Sequence, residues 1–243
     1  MSRILVISDI HANLTALEAV IEAAGSVDAV WCLGDLVGYG PDPNECIALV
    51  QTLPNLVCLL GNHDSAALGN IDLEAFNREA RQSARWMKSI LSKESVEFLA
   101  SLPERQIIAN TTLAHGSPRN PVWEYLLDIY TAMVNFGYFF NHLCLVGHTH
   151  MPTAFIEVNG AQDLEYRMIP LDGPMEVRDR AILNPGSVGQ PRDHDPRAAF
   201  AILHPEENRW DPRRVEYDIS SVQERIYNLG LPRRHALRLS QGW

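Results

Sequence analysis

The chain has 243 residues, is 46% hydrophobic and 21% charged, and carries a formal net charge of −10. That balance excludes a disordered chain, and the length suits one domain, 1–243, with a full core. It also argues against broad nucleic-acid or membrane attraction, which needs a basic face, although bound divalent cations can reverse the field locally.

In chain order, Ile4-Leu5-Val6-Ile7 reads as a buried strand and is followed by Asp9-Ile10-His11. Asn13 is placed to cap a helix whose apolar side carries Leu14, Leu17, Ala19, Val20 and Ile21, and Gly25 marks its end. A second strand, Ala29 to Leu33, precedes Gly34-Asp35. Pro41 and Pro43 break the next loop, and Glu45 to Leu53 reads as a helix stopped by Pro54. A third strand, Leu56 to Leu60, leads into Gly61-Asn62-His63-Asp64. This alternation predicts a parallel sheet with right-handed crossovers.

Residues 65–102 read as a helical insertion, with one helix from Phe76 through Ile90 and another from Ser95 to Leu102. Beyond it, Thr112-Leu113-Ala114 runs into His115-Gly116, and Leu143 to Val146 into Gly147-His148-Thr149-His150. The helical period then fades. Short strands are expected near 153–158, 165–169, 181–183, 199–203 and 213–218, with a hairpin turn at Val158-Asn159-Gly160. These strands predict a second, mainly antiparallel sheet packed on the first. Residues 220–229 read as a closing helix, and Arg233 to Trp243 as a basic tail.

Each of the five motifs follows an apolar run. Ligands of open α/β sheets bind beyond the carboxyl ends of the strands, so the motifs are expected on one rim of one sheet. Taken singly, each has a bland reading as a turn or a loop histidine; together and in order they predict a metal centre. Oxygen donors from Asp and Asn with nitrogen from His suit Mn, Fe, Zn or Ni. Asp35, between the other two carboxyl-end motifs, is the natural carboxylate to bridge two cations. Cys32, Cys46, Cys58 and Cys144 form no CxxC pair and read as core thiols, which suits a cytoplasmic protein. No signal segment or membrane-length apolar run is legible.

The motifs resemble those of the calcineurin-like metallophosphoesterase superfamily: DxH at Asp9–His11, GDxxG at Gly34–Gly38, GNHD at Gly61–Asp64, a lone His115, and GHxH at Gly147–His150. Asn184-Pro185-Gly186-Ser187 extends the match, and the whole chain is similar to the compact bacterial YfcE-like branch. The resemblance implies a four-layer α/β/β/α sandwich of two packed mixed sheets. It implies that Asp9, His11 and His150 hold one divalent ion, that Asn62, His115 and His148 hold the other, and that Asp35 bridges them. His63 would be catalytic, on the leaving-group side. The implied activity is a two-metal phosphoesterase, a phosphodiesterase ahead of a phosphomonoesterase or nuclease, acting on a small phosphodiester or nucleotide through a metal-bridging hydroxide. Manganese is expected ahead of iron, zinc or nickel. A scaffold protein that keeps the fold without activity is the alternative.

Where protein phosphatases of the superfamily carry GDxxDRG, this chain has Gly38 and Tyr39 in place of the second Asp and the Arg. The orientation of His63 is therefore expected from Asp64 or a backbone carbonyl. Arg192, beside the Asn184–Gly189 loop, is the candidate substrate-binding guanidinium. Tyr39, Trp123 and Tyr125 are candidates to line a pocket or simply to pack.

Overall fold

The computed structural model describes residues 2–71, 73–159, 164–170 and 173–243. The first strands form as expected: β1 (Ile4–Ile7), β2 (Ala29–Cys32) and β3 (Val57–Cys58) run parallel, joined through α1 (Leu14–Ala24) and α2 (Pro43–Gln51). Asn13 caps α1, its side chain accepting from the Ala16 amide at 3.1 Å. The second helix starts earlier than expected because Pro43 fits its first turn, where no amide partner is needed.

The insertion holds α3 (Asn62–Leu68), α4 (Arg78–Ile90) and α5 (Lys93–Ser101), the last two capped by Asn77 and Ser92. Next come β4 (Arg105–Ile108), β5 (Thr111–Ala114), α6 (Ile129–Phe136), β6 (Leu143–Leu145), β7 (Thr153–Asn159) and β8 (Leu164–Pro170). The chain closes with β9 (Met175–Glu176), β10 (Arg180–Asn184), β11 (Ala198–His204), β12 (Arg209–Val215), α7 (Ile219–Asn228) and α8 (Arg233–Gln241).

The described strands form two mixed sheets, ordered β3-β2-β1-β11-β12-β9 and β4-β5-β6-β10-β7-β8. The second-half strands therefore do not make an antiparallel sheet of their own. β11 is buried at every position, so it fits only the interior of a sheet; it lies beside β1, antiparallel, with Leu5 opposite Ile202. β7, β8 and β10 instead extend the sheet begun by β5 and β6. The strand expected at 213–218 forms earlier, at 209–215, where it pairs with β11 along its length. The proposed turn at Val158-Asn159-Gly160 falls partly outside the described residues, although β7 and β8 do pair antiparallel.

Alternation along the strands builds the four layers. Val6, Trp31, Leu33, Leu113, Leu145 and Leu183 fill the space between the sheets. Leu5, Ile7, Val30 and Cys32 face the other way, onto Leu17, Val20 and Ile47 of α1 and α2. On the far side, Cys144, Phe155 and Ile182 pack on Ala132 and Phe136 of α6. The basic tail is a helix: α8 packs Ala236 and Leu239 on Val222 and Ile226 of α7. All four cysteines are buried and free. No helix of the described residues is long and apolar enough to cross a membrane.

Candidate metal centre

The motifs meet at one rim, but that rim belongs to both sheets. β1, β2 and β3 deliver Asp9, His11, Asp35, Asn62 and His63; β5 and β6 deliver His115, His148 and His150 from the other sheet. The single-sheet expectation fails because the packed sheets align their carboxyl ends. Hydrogen bonds lock the seam. The His148 amide donates to Asp9 Oδ2 at 3.0 Å, and His115 Nδ1 lies 3.0 Å from the Leu33 carbonyl. Asp9, His11, Asp35, Asn62, His115, His148 and His150 are each at most 2% exposed.

The backbone is strained where these side chains converge. Asp9, His11, Asp35, His148 and His150 have φ of 55°, 50°, 55°, 64° and 62°, a region that costs non-glycine residues energy and persists where surrounding structure imposes it. Sharp turns at strand ends aim the donors inward. Gly61 permits a close approach, since a Cβ there would overlap Asp35 Oδ1.

Two donor groups that share no residue result, and a third, of His11, Asp35 and His63, overlaps both. Asp9, His11 and His150 form one, with Asp9 Oδ1 3.2 Å from His150 Nε2 and 3.8 Å from His11 Nε2. Asp35, His115 and His148 form the other, and Asn62 Oδ1 lies 3.1 Å from His115 Nε2. Asp35 stands between them: its Oδ2 is 3.3 Å from His115 Nε2 and 3.8 Å from His11 Nε2, while Oδ1 accepts from the His63 amide at 2.8 Å.

These donors fit divalent cations by their own chemistry. His11, His115 and His150 each turn Nδ1 toward a backbone carbonyl, of Val37, Leu33 and Gln190, at 3.1, 3.0 and 2.5 Å. With Nδ1 as donor, the neutral rings of His11 and His150 present Nε2 lone pairs to the centre, and His115 does so once a cation displaces its Nε2 proton. Asp9 Oδ1, Asp35 Oδ2 and His148 Nε2 are buried with no hydrogen-bond partner. Such orphaned acceptors are costly, and a cation satisfies them together.

Charge follows the same pattern. Burial holds His63 down at about 4 and His148 at about 3, and lowers His11 and His150. Burial also opposes charge on His115, but the Asp35 carboxylate outweighs it and raises that ring to about 9. Burial opposes charge on Asp9 and Asp35 too, yet their histidine neighbours keep both carboxyls well below the usual range.

Asp64 does not orient His63. Its carboxylate accepts from the Val37 and Gly61 amides, each at 3.0 Å, and so ties the GNHD turn to the β2 loop. An acid three residues after a helix cap is a legible signal for that role. Burial, followed by Asp35, raises Asp64 to about 7. The ring of His63 is instead packed by Tyr39, Phe76 and His11, with centroids at 4.5, 5.0 and 5.0 Å. Among the described residues no backbone carbonyl bonds it. Gly38 (φ 108°) explains the missing second Asp: a Cβ there would lie 2.7 Å from His63 Nδ1.

The Asn184–Gly189 loop braces the donors. Ser187 Oγ donates to the Asp9 carbonyl at 2.8 Å, the Gly189 amide to the same oxygen at 2.9 Å, and Asn184 Nδ2 to the Gly147 carbonyl at 2.7 Å. Arg192 follows it, with Nη2 3.4 Å from Tyr39 Oη. Tyr39 is buried against the rings of His11 and His63, so it packs the site's wall. Trp123 packs on Phe76 at 5.4 Å. Tyr125, half exposed, stacks on His148 with centroids 3.7 Å apart. That contact had no signal in the sequence beyond proximity to His115.

A family model described as a calcineurin-like phosphoesterase superfamily domain matches residues 2–208. The chain belongs to this superfamily. An uncharacterized protein of Methanocaldococcus jannaschii is 39% identical, covering 99% of this chain and 98% of that one. The crystal structure of a metallophosphoesterase from Sphaerobacter thermophilus matches with a TM-score of 0.90 and 45% identity, covering 100% of this chain and 99% of that one. A symmetrical bis(5'-nucleosyl)-tetraphosphatase of Pseudomonas entomophila is 37% identical over 62 residues, 24% of this chain and 22% of that protein. Membership supports a metal-binding hydrolase of phosphoesters.

Proposed function

We propose that the chain is a two-metal phosphodiesterase acting on a small phosphodiester or nucleotide. The observation that carries this reading is Asp35 Oδ2, buried without a hydrogen-bond partner and facing both donor groups. Asp9, His11 and His150 would hold one ion, Asn62, His115 and His148 the other, and Asp35 both. The all-nitrogen and oxygen donor set supports manganese, with iron, zinc or nickel as substitutes. Bound cations supply Lewis acidity and an activated water at neutral pH.

The chain's own side chains do the rest. His63, kept neutral by burial, offers an N–H to the oxygen that departs. Tyr39 and Phe76 fix its ring. Arg192 stands on the same side and matches phosphate oxygens. Glycine and tyrosine at 38 and 39, in place of the protein-phosphatase Asp and Arg, support a diester over a phosphoprotein. Free buried thiols support a cytoplasmic site of action.

Purified protein supplied with Mn(II) is expected to hydrolyse bis(p-nitrophenyl) phosphate faster than p-nitrophenyl phosphate. Absence of turnover on both, across several metals and with metal shown bound, would remove the proposal.

A further inference from the structure

Two partly buried guanidiniums near this site, Arg192 and Arg238, have no ion pair among the described residues. Several other arginines pair closely: Arg119 with Glu124, Arg180 with Glu157, Arg214 with Asp193, Arg225 with Asp42. Among the described residues Arg192 Nη2 reaches only neutral oxygens, Tyr39 Oη and Gln190 Oε1. A partly buried, unpaired cation is costly in a chain with acid to spare.

Arg192 lies beside Tyr39, and Arg238 stands on the helix that packs against it. The Arg192 amide donates to the His150 carbonyl at 3.4 Å, so this residue follows directly on a donor turn, and its Nη2 reaches Tyr39 Oη at 3.4 Å. The other approaches from α8. His235 sits 4.9 Å from the Tyr39 ring, and Arg238, three residues on, shares its helix face. Burial lowers Arg238, followed by the charges of Arg192 and Arg234, with Tyr39 and Glu79 opposing. Tyr39 in turn contacts His63, so the pair lies on the leaving-group side.

Charge balance then defines the ligand. Two divalent cations already outweigh Asp9 and Asp35, and the guanidiniums add to the excess. A single phosphodiester carries one negative charge, whereas linked phosphates carry several. We propose that Arg192 and Arg238 receive a second phosphate on the leaving-group side, making nucleoside polyphosphates the preferred substrates. This rests on the two-metal phosphoesterase reading. In the reaction, the water oxygen bonds to the attacked phosphorus. The bridging oxygen leaves with both bonding electrons as part of the next phosphate, and the water protons pass to solvent and product. The guanidiniums stabilise the charge that builds on the departing phosphate.

The test compares kcat/KM for diadenosine tetraphosphate with that for bis(p-nitrophenyl) phosphate, in Mn(II). Wild type is expected to favour the polyphosphate at least about tenfold. Arg192→Gln and Arg238→Gln are each expected to cut that ratio about tenfold or more, chiefly through KM, with Arg238→Lys restoring part of it. Arg178→Gln, on an exposed pair with Glu176, is the charge control and leaves both rates unchanged. In wild type alone, inorganic tripolyphosphate should inhibit diester hydrolysis at least about tenfold more tightly than orthophosphate, with free Mn(II) held constant. Diester turnover with no polyphosphate preference, or with unchanged ratios in the folded variants, overturns the second-phosphate site and leaves the phosphoesterase standing. Turnover of neither substrate removes both.

Discussion

His11 and His150 face each other across the centre with their Nε2 atoms 3.1 Å apart, while each turns its Nδ1 to a carbonyl, of Val37 and Gln190. With both rings neutral, two lone pairs oppose at hydrogen-bond distance with no proton between them. Burial lowers both rings and so disfavours the protonation that would relieve this. A cation resolves it. We predict that Mn(II) at a hundredfold excess over its dissociation constant stabilises the protein by about 2.7 kcal/mol for each site filled, and that chelation reverses the gain. Urea unfolding with and without metal checks this; equal midpoints would contradict it.

His63→Ala is predicted to lower kcat by about 10²- to 10⁴-fold with metal content near that of wild type. The ring packs on Tyr39 and Phe76 beside the donors, so its loss leaves the two donor groups in place. Elemental analysis and steady-state kinetics on the same preparation separate the effects. A variant that loses metal together with activity would make His63 structural.

Gly38→Ala should cost about 1–3 kcal/mol of stability and a larger share of activity. Its φ of 108° strains any side chain, and the new methyl would press on the His63 ring. A stability change under about 0.5 kcal/mol, the size typical of surface substitutions, would show that the loop relaxes freely.

His235 gives a pH dependence free of the metal donors. Burial holds it down at about 4 in the fold, where its Nε2 lies 2.8 Å from Ser83 Oγ, against 6.5 unfolded. The unfolded chain therefore binds the proton first as pH falls. Stability rises with pH across roughly 4 to 6.5 and is fully present above 6.5. Wild type is predicted to lose about 3 kcal/mol more than His235→Gln between pH 7 and 4, in the same metal state. Parallel stability profiles for the two proteins would contradict this.

Much of the site was legible because strand-end motifs carry their own chemistry. Asp9, His11, Asp35, Asn62, His115, His148 and His150 do converge, and Asp35 stands on the middle strand of β1, β2 and β3 as its place in the chain suggested. Partition between sheets was not legible. Thr111–Ala114 and Ile4–Ile7 are both short buried runs, and nothing in their residues says which sheet each joins. Edge and closing elements were missed for related reasons. β9 has two residues, too few for a period, and α8 reads as a charged tail until Ala236 and Leu239 are seen on α7. The carbonyls that orient the imidazoles belong to Val37, Leu33 and Gln190, and backbone acceptors leave no trace in residue type.

One buried carboxylate, that of Asp35, is proposed to join two cation sites. Anomalous diffraction at the manganese edge, from crystals grown with Mn(II), tests it most directly. Two peaks about 3.5–4 Å apart are predicted, both within coordinating distance of Asp35, one toward Asp9 and His150 and the other toward Asn62 and His115. A single peak, or peaks that leave Asp35 Oδ2 uncoordinated, would contradict it.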